Sequence, residues 1–464
     1  MWVVNGVLAA IILVLFLIGE AGRQRRHEID WRPPAAAGLI FLAVILWMVV
    51  QALPAVPLLF RHPIWSELAG DLDSRWAAIS INPSSTWTTI VQVAPAGFLA
   101  FVAMCLAFDP RRASRLLKII VLATTAAASY GLVAQYLGVR QMFLIDRDYY
   151  AGFLTGPFVG RNAAATYFVI GIASATSLIA ARLEEVLTVR TRRGDSFFLL
   201  TAELIRRAGV LLVADLVLVA ALLDTGSRGG FIASGFALIT IILVALRRSG
   251  AGRRAAAGLF TAVIGALFTV AAISSDLLLG RLQTGVGNED RLNAYRDTID
   301  MIAARPWLGH GAGTFVDAFP LFHSRASSFA VWTRAHDSFL QAAAELGLPA
   351  FAALMLAIIV VIVTLLRNVG LRSESQPAAT AALATLAAVA FHSIVDFSVQ
   401  IQAVGLTVAV LVGAGIGETL ACKARSIARA GKVDSGDSRA FQPLEAFSVT
   451  IPSRSAPIKI AATG

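Results

Sequence analysis

Long apolar runs, recurring along the whole chain, limit what this sequence can fold into. Stretches of roughly 17–25 residues with few charges occur eleven times, near 2–19, 35–53, 88–108, 117–137, 162–181, 208–224, 229–246, 255–274, 348–366, 377–397 and 403–420. A water-soluble chain this apolar, 57% hydrophobic and 15% charged with a mean hydropathy of +0.73, would expose large adhesive patches. The fold class expected is an all-α polytopic membrane protein with about eleven transmembrane helices. The first run has no basic residue before it and no small-residue cleavage site after it, so it reads as a retained anchor.

Basic residues set the orientation. The chain carries 39 Lys and Arg against 29 Asp and Glu, a formal charge of +10. Alternate connections, together with the segment after the last run, hold 27 of those 39 residues. By the positive-inside rule this places the N-terminus outside and the C-terminus in the cytoplasm. With acidic residues included, the inner side carries +14 and the remainder −4. The excess charge therefore reports topology and attraction to anionic lipid heads. Nucleic-acid binding would need a basic face on a soluble module, which is not the pattern here.

Four segments follow from this reading: a bundle of eight spans over 1–274, a large outer loop over 275–347, three spans over 348–420, and a disordered cytoplasmic tail over 421–464. A loop of that length calls for a function or a fold of its own. Within it, 290–304 places Leu292, Tyr295, Ile299 and Ile302 on one helical stripe, and 336–346 is again helix-like. The two cysteines, Cys105 and Cys422, exclude a disulfide framework or a thiolate zinc site. The six histidines show no metal-binding spacing.

Charge at the membrane edge is costly and marks where chemistry would sit. The connection Asp224-Thr-Gly-Ser227-Arg228-Gly229-Gly230 offers an arginine fork beside backbone N–H groups, a phosphate-binding arrangement. It equally fits an arginine snorkelling beside a tight turn. Arg291 opens an amphipathic segment that leads to Arg305-Pro-Trp-Leu-Gly309-His310-Gly311-Ala-Gly313. That glycine run lacks a preceding strand and reads as a flexible turn, not a dinucleotide site. His336 has the right pKa range for a general base, or it caps a helix. His392 and Asp396 lie one helical turn apart, as a buried link or on a polar cavity.

These motifs together resemble the O-antigen ligase and polysaccharide polymerase superfamily of bacterial inner-membrane glycosyltransferases. The resemblance rests on Ser227-Arg228-Gly229-Gly230, Arg291 with Arg305-Pro306-Trp307-Leu308-Gly309, His336 through Glu345 to Gly347, and His392-Ser393-x-x-Asp396-Phe397. It covers roughly residues 220–400. Gly156-Pro157-Phe158-Val159-Gly160-Arg161-Asn162 adds a weaker match. Two departures stand out: Asp337 occupies a position where the family has Asn, and eleven runs stand against the twelve common in ligases.

The resemblance implies a metal-independent, inverting transfer without a cofactor at the periplasmic face of the inner membrane, which makes the 275–347 loop periplasmic. The donor would be a glycan on undecaprenyl pyrophosphate, and the acceptor another glycan or the lipid A core. Carried over by motif, Arg228 and Arg291 would hold the pyrophosphate, with Arg161 as a third contact. His336 would take the acceptor proton, supported by Glu345, Asp396, His392 and Asp337. A transporter or flippase of the lipid-linked glycan is the competing reading, for which Asp215 is the clearest mid-span acid.

Overall fold

The computed structural model describes residues 30–54, 56–67, 76–139, 141–142, 145–146, 152–191, 197–249, 288–323, 332–369 and 374–434. Thirteen helices are described: α1 Arg32–Ala52, α2 Ile64–Glu67, α3 Pro83–Leu106, α4 Pro110–Tyr136, α5 Arg161–Thr191, α6 Phe197–Asp224, α7 Arg228–Ser249, α8 Asn288–Ala304, α9 Phe315–Ala318, α10 Ser338–Leu346, α11 Leu348–Asn368, α12 Pro377–Ser393 and α13 Gln402–Asp434. A two-residue antiparallel hairpin, β1 Gln141–Met142 with β2 Ile145–Asp146, interrupts the helices.

Proline placement explains many of the starts. Pro83 and Pro110 follow the capping residues Asn82 and Asp109, whose side chains accept from Ser85 N–H at 3.2 Å and Arg111 N–H at 2.8 Å. α1, α11 and α12 likewise carry proline in their first turn. The expected runs at 2–19 and 255–274 lie outside the described residues; the other nine each coincide with a helix.

Among the described residues, seven helices are long and apolar enough to cross a membrane: α1, α3, α4, α5, α7, α11 and α13. The chain is therefore a multi-pass membrane protein. α12 is a shorter apolar helix of 17 residues. α6 reaches back beyond the expected 208–224, through a charged turn where Glu203 pairs with Arg206 and Arg207. The last helix runs on to Asp434, so the stretch expected to be disordered from 421 begins as helix. Arg425 and Arg429, one turn apart, both grip Glu374, at 2.7 and 2.8 Å. Residues 435–464 lie outside the description.

α5 is the central span, with 78% of its apolar window buried against 17% for α11. Its alanines 163, 164, 165, 173 and 175 let neighbouring backbones approach closely. Some hydroxyls within spans turn onto their own helix, as Ser174 donates to Ile170 O and Thr419 to Gly415 O, so these two need no water. α13 lies along α3 through Gly413-x-x-x-Gly417, where an added Cβ would land on the carbonyl oxygens of Ala100 and Met104.

One end of the bundle gathers the ends of α1, α6 and α12 with the starts of α3, α5, α7, α11 and α13. Trp47 Nε1 donates to Leu346 O at 2.8 Å, Leu154 N to Asp224 O at 3.1 Å, and Asn82 Nδ2 to Asp317 at 3.2 Å. The residues singled out by sequence lie at this end. Gly413→Val or Gly417→Val should lower stability by about 1–3 kcal/mol, since the methyls meet rigid backbone. Thermal unfolding in detergent checks this, with Gly38→Ala, where an added Cβ meets nothing within 4 Å, as the control.

Candidate active site

Asn162, in the first turn of α5, links three separate parts of the chain. Its Nδ2 donates to Asp396 Oδ1 at 2.8 Å, and its Oδ1 accepts from Ser227 Oγ at 2.8 Å. Ser227 in turn accepts from Gly230 N–H at 3.2 Å, closing the first turn of α7. The second Asp396 oxygen accepts from the Ser398 backbone at 2.9 Å and from the Ser398 hydroxyl, while Asp396 O accepts from Ser338 Oγ at 2.9 Å. The carboxylate is buried but well supplied with donors, the condition under which a buried charge persists.

His336 sits against this network. Its Nδ1 lies 4.0 Å from Asp396 Oδ1 and is buried without a hydrogen-bond partner. Trp332 and Phe397 meet its ring edge-to-face, at centroid distances of 5.6 and 5.1 Å. Its backbone is left-handed, with φ of 56°, the one positive value for a non-glycine residue among those described. Such a conformation costs about 1–3 kcal/mol and persists where surrounding contacts over-determine it. Here Tyr295 Oη donates to His336 O at 3.1 Å. Burial, then the nearby Arg291 charge, pull the imidazole below its ordinary pKa, with Asp396 pulling the other way. At neutral pH the ring is neutral, the form that can accept a proton.

Arg228 is exposed at the start of α7, and Arg291 is half-buried in the first turn of α8, close enough to influence both Tyr295 and His336 electrostatically. Neither makes an ion pair or hydrogen bond with a described residue. Arg161 donates to Gly226 O at 3.3 Å and lies over the Phe153 ring at 4.8 Å, bracing the turn that precedes Ser227.

The remaining expected residues take other positions. His392 and Asp396 do not form a helical pair, because α12 stops at Ser393. His392 Nδ1 instead meets Thr166 Oγ1 at 2.7 Å, beneath the cluster. Asp337 caps α10, accepting from Phe339 and Leu340 N–H at 2.8 and 2.9 Å. The cap needs one side-chain oxygen acceptor, which Asn and Asp both have, so the departure at this position keeps the local structure. Glu345 does not bond with the His336 cluster. It accepts from Gly313 N–H at 2.7 Å, Phe315 N–H at 3.2 Å and Gln341 at 2.9 Å, fastening the glycine run.

That run is no loose turn. A Cβ on Gly309, whose φ is 69°, would collide with the Glu345 carbonyl. His310 N donates to Ala344 O at 3.0 Å. His310 Nε2 faces the Met301 carbonyl at 3.0 Å and must donate to it, so its Nδ1 accepts from His62 Nε2 at 3.0 Å. His62 Nδ1 then accepts from Ile64 N–H at 3.3 Å, and both rings are neutral. Burial foremost, then Arg305 and His310, push the His62 pKa down to about 3.

α8 also departs from expectation. Leu292 and Ile299 are exposed, whereas Ala294, Asp297, Thr298 and Met301 are buried. The buried polar pair is satisfied, Thr298 by Ala294 O at 2.6 Å and Asp297 by His323 at 3.5 Å. Asn162, Tyr295, Thr166 and the His62–His310 pair are the residues that sequence reasoning left without a role.

The fold and this cluster define a multi-pass helical membrane protein with, at one end, a histidine, an aspartate and two arginines that have no ion-pair partner among the described residues. A family model described as O-Antigen ligase matches residues 213–355, which contain Arg228, Arg291 and His336. The match supports the O-antigen ligase-like superfamily and points to a membrane glycosyltransferase of the ligase or polymerase type. No curated protein matches the chain.

Asp337→Asn should leave stability and activity close to wild type, whereas Asp337→Ala should cost about 1 kcal/mol through the lost cap; thermal unfolding of both variants checks this. For His62 the folded pKa lies below the unfolded value of 6.5. Its contribution to stability is therefore complete above pH 6.5 and is lost as pH falls toward 3, at up to about 1.4 kcal/mol per pH unit. Unfolding followed from pH 7 to 4 should show a shallower decline in His62→Asn than in the native chain.

Proposed function

We propose that this chain transfers a glycan from undecaprenyl pyrophosphate to an acceptor hydroxyl at the periplasmic face of the bacterial inner membrane, with its C-terminus cytoplasmic. The observation that carries the reading is the neutral imidazole of His336, held left-handed beside Asp396 at the same end of the bundle as unpaired Arg228 and Arg291. The acceptor is a lipid-linked glycan or a lipid A core sugar.

Asp396 favours the proton on the facing Nδ1 of His336, leaving Nε2 as the base. As the acceptor oxygen attacks the anomeric carbon, its proton passes to Nε2 and the bond from that carbon to the pyrophosphate oxygen breaks. Attack from the face opposite the leaving group inverts the anomeric configuration. The departing diphosphate gains negative charge, and Arg228 and Arg291 stabilise it; fixed cationic donors act most strongly where charge develops. Arg161 holds the turn that aims Arg228, and could add a contact of its own. Asn162 sets the Asp396 carboxylate and the α7 terminus in one frame, so base and clamp stay in register. His392, bonded to Thr166, supports that frame from below, and Asp337 and Glu345 fix the two ends of α10.

The transporter reading predicts a polar path through the spans. Asp215 accepts from Thr176 at 3.2 Å through one oxygen within the α5–α6 contact, while its other oxygen is buried without a partner among the described residues.

The test is transfer from a polyprenyl-pyrophosphate glycan in membranes carrying His336→Ala, Arg228→Ala or Arg291→Ala. Removing the base should lower turnover about 10²–10⁴-fold, and each arginine by about 10²-fold or more. Full transfer by all three variants at native protein levels would sink the site. Transfer should also survive a chelator.

A further inference from the structure

Arg305 draws two distant loops into one unit. Its guanidinium donates to Gly309 O at 3.0 Å, Arg61 O at 3.0 Å and Phe60 O at 3.1 Å. It thereby binds the segment after α1 to the segment before α9. Beside this join stand large apolar side chains that the described residues leave open: Leu58 is 73% exposed, Leu59 86% and Trp307 72%.

These residues lie outside the spans but at a fixed height beside two of them. Leu348 N donates to Pro306 O at 2.7 Å, so Trp307 is set against the first residue of α11, one of the membrane-crossing helices. On the other side, exposed Leu39, Leu42, Leu46, Val50 and Leu53 form one stripe along α1 at spacings of three and four residues, the face such a span turns to lipid. Leu58 and Leu59 follow where that stripe ends. Exposed apolar side chains thus recur from the span into the loop that follows it, and a tryptophan beside a span is the side chain most suited to the lipid–water boundary.

We infer that Leu58, Leu59 and Trp307, clamped together by Arg305, form an interfacial anchor that dips into the lipid leaflet on the His336 side of the bundle. The partner is the bilayer itself: acyl chains take the leucines, and the indole sits at headgroup level. The anchor fixes the height of the Gly309–Gly313 run, and through the His310–Ala344 bond that of α10, relative to the membrane surface. A site acting on lipid-attached pyrophosphate needs that registration. The inference itself rests on the spans and the loop geometry, not on the catalytic reading.

The test places a nitroxide label at single cysteines in the full chain reconstituted in phospholipid nanodiscs. Both native cysteines are buried, so Cys105→Ala with Cys422→Ala gives a usable background. Leu59→Cys and Trp307→Cys carry the probes, with Leu58→Cys standing in should the first fail to fold. Leu42→Cys marks the span and Arg296→Cys the water-exposed face of α8. Oxygen against nickel accessibility should place labels 59 and 307 about 5–10 Å into the headgroup and acyl boundary, between the two references. Accessibility at both positions equal to that at 296 would overturn the anchor. So would dipolar coupling between labels of neighbouring copies in place of oxygen access, since a second chain would then cover the patch. Because the readout is depth and not transfer, a failed anchor and a failed catalytic assignment are distinguishable.

Discussion

The hydrogen bonds of one carboxamide hold the functional end of this molecule together. Asn162 bridges Asp396 and Ser227, both at 2.8 Å, and so ties the start of α5 to the start of α7 and to the chain leaving α12. Toward the other end of these helices Arg248 joins them again, reaching Glu184 and the Glu374 carbonyl. Inside a bilayer such a bridge has little competition from water, and any unpaired member would be expensive. The amide satisfies a donor need at Asp396 and an acceptor need at Ser227 with one side chain. An apolar residue there would leave a buried carboxylate one donor short.

On that frame the electrostatics divide by position. Buried acids such as Asp396 and Glu345 receive backbone and side-chain donors. The arginines that have carbonyl partners, Arg305 and Arg161, are likewise occupied in holding turns. Arg228 and Arg291 stand apart: neither meets an acid or a hydrogen-bond partner among the described residues, and Arg291 lies near enough to depress His336. On the proposed reading an anion completes this arrangement.

Much of the fold was legible because lipid imposes length and apolarity on whole helices, and nine expected runs each coincide with a helix, though three helices extend ten or more residues past the expected bounds. Connections were harder to read. Periodicity put Leu292, Tyr295, Ile299 and Ile302 on one helical stripe, but α8 exposes Leu292 and Ile299 and buries a satisfied Asp297 instead. The motif residues Arg228, Arg291, His336 and Asp396 were visible as charge at the membrane edge. Their shared partner Asn162 was quoted within a motif yet carried no signal of its role, because its two bonds reach residues 65 and 234 positions away. The close α3–α13 contact was announced by Gly413-x-x-x-Gly417, a pattern whose meaning is known for spans and which went unread. Helix ends were misjudged where a distant acid such as Glu374 extends them.

The glycine run shows why such a site needs loops as rigid as its helices. On the proposed reading, a base that meets an acceptor oxygen beside a lipid-anchored diphosphate has to be fixed both across the bundle and along the membrane normal. Asn162 and Asp396 supply the first constraint. The second comes from a chain of backbone contacts: α1 through Gln51 to Leu308 and Glu345, Glu345 to Gly313 and Phe315, and Ala344 to His310. Two neutral histidines stiffen that chain where protonated ones would repel. The left-handed His336 is the point where both constraints meet, one residue before the cap of α10, and its strain is tolerable only because each side holds.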